Sequence, residues 1–286
     1  MDLVFTDIHA DIDALETILQ VATSNDFTKR YGKFSRILNL GDVLERGTHP
    51  KQVLHRLESL EKNYPVHSVI GNHDEAFLYK RMVSGSSIES LTAHENLTTN
   101  DLSFFPQNKD GTFGEQQFMD KKNGLVCVHG GPLDPQKITP KNARAESWLY
   151  QRSWQRLSEE DFEYVSNSGY HYKASSAFIE TKNHLSSCVI LCGHQHTETA
   201  IMQNNTIKEI FSSLKPTRER ASNFVLEKRE IEIEKSNNYL IRLGLAGPEG
   251  YYGVGSATPH FGLVQYDPKK VILFTVNPQG YSESLT

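Results

Sequence analysis

Residues 188–196 read Cys188-Val189-Ile190-Leu191-Cys192-Gly193-His194-Gln195-His196, and this stretch decides the fold. A short, β-prone apolar run ends abruptly in a glycine and two histidines, residues that can hold a metal. A strand apolar on both faces belongs in a sheet covered on both sides. The glycine allows the tight turn by which a chain leaves such a strand and wraps an ion.

The same rhythm recurs four more times toward the amino terminus. Leu125-Val126-Cys127-Val128 leads to His129-Gly130-Gly131, and Val66-His67-Ser68-Val69-Ile70 leads to Gly71-Asn72-His73-Asp74. Ile37-Leu38-Asn39-Leu40 leads to Gly41-Asp42, and Leu3-Val4-Phe5 leads to Asp7 and His9. In covered sheets ligands gather outside the carboxyl ends of the strands, so five strand ends converge on one site.

Between the first strands the period changes to that of a helix. Ile12, Leu15, Ile18, Leu19 and Ala22 mark one face, and Val53, Leu54, Leu57 and Leu60 mark another, entered by Pro50. Strand, helix, strand, helix, strand through residue 70 is the layout of a parallel α/β core. From about residue 205, strand-like runs return at 238–243, 261–264 and 271–274, as a second sheet packed on the first would require.

The chain has 286 residues, 37% hydrophobic and 23% charged, as a soluble globular protein does. A formal charge of -5 gives no electrostatic footprint for a nucleic acid duplex. The amino terminus lacks the basic start and apolar stretch of a secretory signal, and no segment reaches the roughly 20 apolar residues of a membrane span, so the cytoplasm is the expected compartment. Cys127, Cys188 and Cys192 form no CxxC pair and are expected as buried free thiols.

The strand-end residues Asp7, His9, Asp42, Asn72, His129, His194 and His196 offer nitrogen and oxygen but no sulfur. Such a set suits manganese, iron, zinc, cobalt or nickel, and is wrong for a closed structural zinc site. Seven donors exceed what one open catalytic site needs, whereas two ions about 3.5–4 Å apart can share a carboxylate and grip a phosphoryl group together.

Taken in order, Asp7-x-His9, Gly41-Asp42-x-x-Glu45-Arg46-Gly47, Gly71-Asn72-His73-Asp74, Val128-His129-Gly130-Gly131 and Gly193-His194-x-His196 resemble the five motifs of calcineurin-like metallophosphoesterases. The resemblance implies a metal-dependent phosphoester hydrolase with two divalent ions, manganese first and iron, zinc, nickel or cobalt after it. Asp7, His9 and His196 would hold one ion, Asn72, His129 and His194 the other, and Asp42 would bridge them. A bridging hydroxide would attack phosphorus without a covalent phosphoenzyme. His73 would contact phosphate and protonate the leaving oxygen, with Asp74 orienting it. The run from Gly41 to Gly47 is similar to the GDxxDRG motif of phosphoprotein phosphatases, with Glu45 in place of aspartate, which implies that Arg46 clamps phosphate. The HGG run is similar to that branch and to bacterial diadenosine tetraphosphatases, whereas the His-x-His pair is more typical of phosphodiesterase-like members. The implied substrate is thus a phosphorylated small molecule, a nucleotide or a phosphoprotein, and the alternative to an enzyme is an interaction scaffold on the same fold.

The fold so implied is a single α/β domain over 1–286, a β-sandwich of two mixed sheets flanked by helices, with helical insertions around 81–123 and 132–180. The remaining histidines at 49, 55, 67, 94, 171, 184 and 260 are expected to be ordinary core or surface residues. Arg144 and Arg152 lie among Trp148, Tyr150 and Trp154, which reads as an amphipathic helix packing an aromatic face. The charged run 215–235 reads as a half-exposed edge strand.

Overall fold

Local sequence places the elements in order. In the computed structural model, which describes residues 1–81, 86–143, 145–160, 162–185, 187–247 and 258–278, the chain begins β1 (Asp2–Phe5), α1 (Ile12–Thr23), α2 (Asn25–Tyr31), β2 (Arg36–Asn39), α3 (Pro50–Glu61), β3 (Val66–Ser68), α4 (Asn72–Leu78) and α5 (Ile88–Glu95). It continues with β4 (Phe118–Asp120), β5 (Leu125–Cys127), α6 (Pro135–Ile138), β6 (Arg156–Leu157), β7 (Tyr164–Ser166), β8 (Gly169–Tyr172), α7 (Ala174–Lys182) and β9 (Val189–Cys192). It closes with β10 (Thr199–Gln203), β11 (Ile207–Glu209), β12 (Thr217–Ala221), β13 (Phe224–Glu232), β14 (Asn238–Arg242), β15 (His260–Tyr266) and β16 (Lys269–Pro278). Arg144, Ser84 and Gly85 lie outside the described residues.

Two sheets form the sandwich. The first runs β12-β13-β16-β15-β1-β2-β3 and the second β11-β10-β14-β9-β5-β4. β1, β2 and β3 are parallel, with Val4 opposite Leu38, and β5, β9 and β14 are parallel, with Ile190 opposite Val126 and Leu240. Antiparallel strands complete each sheet, so both are mixed, as expected.

Period-two alternation sorts the side chains into layers. Val4, Leu38, Cys127, Val189, Leu191 and Ile241 fill the space between the sheets. Leu3, Phe5 and Ile37 point the other way, onto Leu15, Ile18 and Leu19 of α1 and Val53, Leu54 and Leu57 of α3. Val126, Ile190 and Leu240 face the outer layer built around Phe178 of α7 and Tyr172. Asp11 caps α1 by accepting from the Ala14 amide at 3.0 Å, and Pro50 opens α3 where its missing N–H costs nothing. The three cysteines are buried and free.

The insertions differ from expectation. Among the described residues, 81–123 are helical only in α5 and in a 3-10 turn at Asp101–Phe104, and β4 extends the second sheet. Among the described residues, 132–180 carry one turn of helix at α6, two 3-10 turns and, at their end, α7, but their centre is a three-stranded sheet, β6-β8-β7. Its aromatic, β-prone strands Tyr164–Ser166 and Gly169–Tyr172 flank a two-residue turn, a hairpin signal diluted by polar neighbours. Trp148 and Trp154 do pack on each other, at 4.5 Å and edge to face, but from two 3-10 turns rather than an amphipathic helix. In the charged run, β12 is the edge strand and β13, with its alternating charges, sits one place inside it. Among the described residues no helix is long and apolar enough to cross a membrane.

Candidate metal centre

All seven expected ligands lie at the carboxyl ends of strands and meet in one place. Asp7 and His9 follow β1, Asp42 follows β2, Asn72 opens α4, His129 follows β5, and His194 and His196 follow β9. Five of these non-glycine residues hold left-handed backbone: Asp7 (φ 55°), His9 (48°), Asp42 (54°), His194 (69°) and His196 (61°). Each such residue costs on the order of 1–3 kcal/mol and persists only where its surroundings hold it. Here the loops hold each other: the Asp7 amide donates to Gly41 O at 2.9 Å, His9 to Asp42 O at 2.9 Å, and Gly193 to His129 O at 2.8 Å. At Gly71 a Cβ would stand 2.0 Å from Asp42 Oδ1, so only glycine lets α4 begin against that carboxylate.

The side chains are aimed as well as gathered. Asp7 Oδ2 accepts from Thr6 Oγ1 at 2.6 Å and from the His194 amide at 3.0 Å, and Asp42 Oδ1 accepts from the His73 amide at 2.9 Å. Their other oxygens, Asp7 Oδ1 and Asp42 Oδ2, are buried without a hydrogen-bond partner, as are His9 Nε2 and His194 Nε2. His9 Nδ1 lies 3.1 Å from Leu44 O and His129 Nδ1 2.7 Å from Leu40 O. A carbonyl only accepts, so both rings carry their proton on Nδ1 and turn Nε2 inward. His129 Nε2 is 3.3 Å from Asp42 Oδ2 and 3.1 Å from Asn72 Oδ1, His9 Nε2 is 3.6 Å from Asp42 Oδ2, and His196 Nε2 is 3.3 Å from Asp7 Oδ1. Two clusters, Asp7-His9-His196 and Asp42-His129-His194, each have their ligand atoms within 4.8 Å of one another.

Buried polar atoms without partners are costly, and four converging on one point are what a cation site requires. Burial holds His9 and His194 well below the usual histidine pKa, aided by the Arg46 and Arg156 guanidiniums respectively, which keeps both rings neutral as ligands must be. Burial would raise the Asp7 carboxyl, but His196 and His129 hold it below the ordinary range. Burial likewise works against a proton on His129, but Asp42 overrides it and pushes that ring up to about 9.

His73 is arranged differently. Its Nδ1 lies 2.6 Å from Glu45 Oε2, and its Nε2 lies 3.1 Å from Arg46 Nη2. A guanidinium only donates, so Nε2 accepts and Nδ1–H donates to Glu45. With both nitrogens engaged, His73 lacks the open atom that His9 and His194 have, although its ring belongs to a group with His9 and Asp42 that is tight enough to hold an ion. Arg46 also approaches His196 Nδ1 at 3.3 Å, at the side where the pocket opens and His196 is 24% exposed.

Asp74 does not orient His73. Its Oδ1 accepts from the Val43 and Leu44 amides at 2.9 and 2.8 Å, and its Oδ2 from Gly71 at 3.0 Å. Burial beside Asp42 raises its carboxyl to about 7, and the three amide donors pull the other way. Asp74 therefore ties the β2 loop to the start of α4, while Glu45 holds His73.

Sequence reasoning missed further supports. His94, expected to be ordinary, is buried and accepts from the Glu45 amide at 2.7 Å while its Nδ1 meets Ser90 O at 2.7 Å, bracing the Glu45-Arg46 loop from behind. Gln195 accepts from Leu157 N at 2.7 Å and donates to Leu157 O at 3.2 Å, latching the small sheet onto the loop that carries His194 and His196. Arg156, next to that latch, is the guanidinium that depresses His194. Arg152 instead points its Nε to Pro132 O. Only a polar residue between two histidines hinted at the latch.

The chain matches the family model for calcineurin-like phosphoesterases over residues 3–198. No curated protein sequence matches it. Among solved structures it is similar to a metallophosphoesterase from Sphaerobacter thermophilus, at TM-score 0.57 and 18% identity over 97% of this chain and 88% of that one. It is also similar to a protein serine/threonine phosphatase from Saccharomyces cerevisiae with similarity to human phosphatase PP5, at TM-score 0.51 and 14% identity over 99% and 81%. A hypothetical protein from Pyrococcus horikoshii OT3 matches at TM-score 0.57 and 13% identity over 98% and 90%. At such identities the likeness is one of fold.

Proposed function

The chain belongs to the calcineurin-like phosphoesterase family, and from that membership we propose that its pocket hydrolyses phosphoester bonds with two divalent cations. The observation that carries this reading is the convergence of four buried, partnerless donor atoms, Asp7 Oδ1, His9 Nε2, Asp42 Oδ2 and His194 Nε2. Asp7, His9 and His196 would hold one ion and Asn72, His129 and His194 the other, with Asp42 between them. When bound, such ions neutralise charge on a phosphoryl group and lower the pKa of water toward about 7, so that attack on phosphorus runs at neutral pH. Manganese is the first of several cations that suit these donors, with iron, zinc, nickel and cobalt beside it.

The chain's own residues do the remainder. Arg46 stands at the open side with its fork between His73 and His196, and turning that fork onto two phosphate oxygens gives it a bidentate partner. That movement frees His73 Nε2. Glu45, on the opposite nitrogen, then favours a proton at Nε2, held ready for the departing oxygen. A phosphorylated small molecule, a nucleotide and a phosphoprotein all present such a group.

The test is turnover by chelator-treated protein re-supplied singly with manganese, zinc, nickel, cobalt or magnesium. Substrates are p-nitrophenyl phosphate, bis-p-nitrophenyl phosphate, diadenosine tetraphosphate and a phosphopeptide. Metal-dependent turnover of any of the four supports the reading, the fastest substrate selects among phosphomonoester, phosphodiester and dinucleoside polyphosphate, and turnover that needs no metal overturns it. Two bound ions with no turnover on any substrate would make the fold an interaction scaffold.

A further inference from the structure

The opposite end of the sandwich carries a cavity of about 570 Å³, within the usual range of small-molecule sites. Its wall comes from the β4–β5 turn, the segment entering β9, the chain leaving β13 and the β15–β16 turn. β5 and β9 both start at this cavity and end at metal-ligand loops, so the two sites share strands but not residues. From Ser187 at the cavity to His194 the chain spans at most roughly 24 Å at strand rise.

Four lysines meet there: Lys121 and Lys122 from the first segment, Lys235 from the third and Lys269 from the fourth, against one carboxylate, Asp267. In a chain of net charge -5 this gathering of cations needs a reason. The ion-paired lysines among the described residues are Lys51, Lys137, Lys228 and Lys270, none of which lines the cavity. Lys269 is half buried, and among the described residues its ammonium, with three donors, makes one hydrogen bond, to Asn123 O at 2.5 Å. Burial draws its pKa down, a cost that an anion beside it would offset.

We propose that this cavity binds a polyphosphate anion, inorganic or carried by a small molecule, at a site separate from the hydrolytic pocket. Ammonium groups on flexible stems from three segments suit several phosphate charges spread over a few ångströms, where a single carboxylate would satisfy one of them. The concave shape and the negative charge of the whole chain argue against a nucleic acid duplex. Leu185, Ile233 and Pro268 supply an apolar wall for an organic portion.

The experiment is calorimetric titration of tripolyphosphate into the full-length chain at low ionic strength, with chelator present so that neither hydrolysis nor metal capture by the probe contributes. Three proteins are compared: wild type, Arg46→Ala, and Lys121→Gln with Lys235→Gln. Binding should persist in Arg46→Ala and weaken at least tenfold in the double lysine variant, whose metal-supplied turnover and melting temperature stay at wild-type values. A non-hydrolysable adenosine triphosphate analogue binding more tightly than tripolyphosphate identifies a small-molecule carrier, and equal binding identifies the inorganic ion. Unchanged binding by the lysine variant, loss in Arg46→Ala alone, or preference for polyglutamate overturns the proposal. The titration reads the cavity whether or not the hydrolytic pocket turns over.

Discussion

The Glu45 carboxylate stands 2.6 Å from Nδ1 of His73, across 28 residues of chain, while Asp74, the next residue after His73, gives both its oxygens to backbone amides. Glu45 and His73 are both buried, which makes this pair a strong electrostatic contact. Glu45→Gln keeps an acceptor for Nδ1–H but removes the charge that would favour a proton on Nε2. We expect kcat to fall on the order of a hundredfold, the scale of general acid–base contributions. KM should move little and bound metal should be unchanged by elemental analysis. Loss of metal together with activity would make Glu45 a structural prop instead.

Asp74→Asn separates the two carboxylates. An asparagine has one acceptor oxygen, and its NH₂ would face an amide N–H that now has no acceptor. Leaving a buried donor unsatisfied costs roughly 1–3 kcal/mol, so the variant should melt at lower temperature. Because Asp74 does not touch His73, the pH–rate profile of the metal-saturated variant should keep its shape. A displaced acidic or basic limb would restore Asp74 to a role on the imidazole.

Adjacency in sequence misled here for a physical reason. His73 and Asp74 are consecutive in the first turn of α4, and neighbours on a helix face different directions. Glu45 reaches His73 because Glu45 and Arg46 hold left-handed backbone, at φ 66° and 64°, which nothing in two non-glycine residues announces. The five strand ends were legible because their apolar runs stop abruptly at glycine or polar residues with ligand atoms. The crossover helices were legible because Leu15, Ile18, Leu57 and Leu60 repeat with helical period and are buried accordingly. The small sheet was not, since β7 and β8 are short, half-exposed and rich in polar residues. The second sheet's closing strands showed as apolar runs, but which strand would be the edge depended on pairing, which sequence alone does not fix.

His129 links metal binding to pH. Without metal, Asp42 outweighs burial and holds the ring protonated up to about 9, whereas a histidine in the unfolded chain titrates near 6.5. A raised folded-state pKa contributes stability that is full below about 6.5 and is lost as pH rises through about 9. The metal-free chain should therefore become less stable to heat across that window. Coordination needs the neutral ring, so binding must release this proton, and apparent metal affinity should rise about tenfold per pH unit until it levels off near 9. Calorimetry in two buffers of different ionisation enthalpy counts the protons released. A pH-independent affinity between 7 and 9 would mean that His129 is already neutral or is not a ligand. Asp42→Asn should remove both this dependence and the shared charge, and with them the metal.

The Gln195 latch tests whether the small sheet is part of the centre or merely lies over it. Its two side-chain bonds to Leu157 imitate one step of a β-ladder, and they sit between His194 and His196 in sequence. Gln195→Ala removes both bonds without touching a ligand atom. At roughly 0.5–1.5 kcal/mol each, their loss is too small to unfold the domain but enough to loosen β6. Amide exchange at Leu157 should then quicken, because that N–H loses its acceptor and opens to water. As Arg156, on the same strand, leaves its place beside His194, that ring is less firmly held neutral, and metal should bind less tightly at neutral pH. Unchanged exchange at Leu157 would show that β6 is held by its pairing with β8, at Arg156–His171 and Leu157–Tyr172, rather than by the ligand loop.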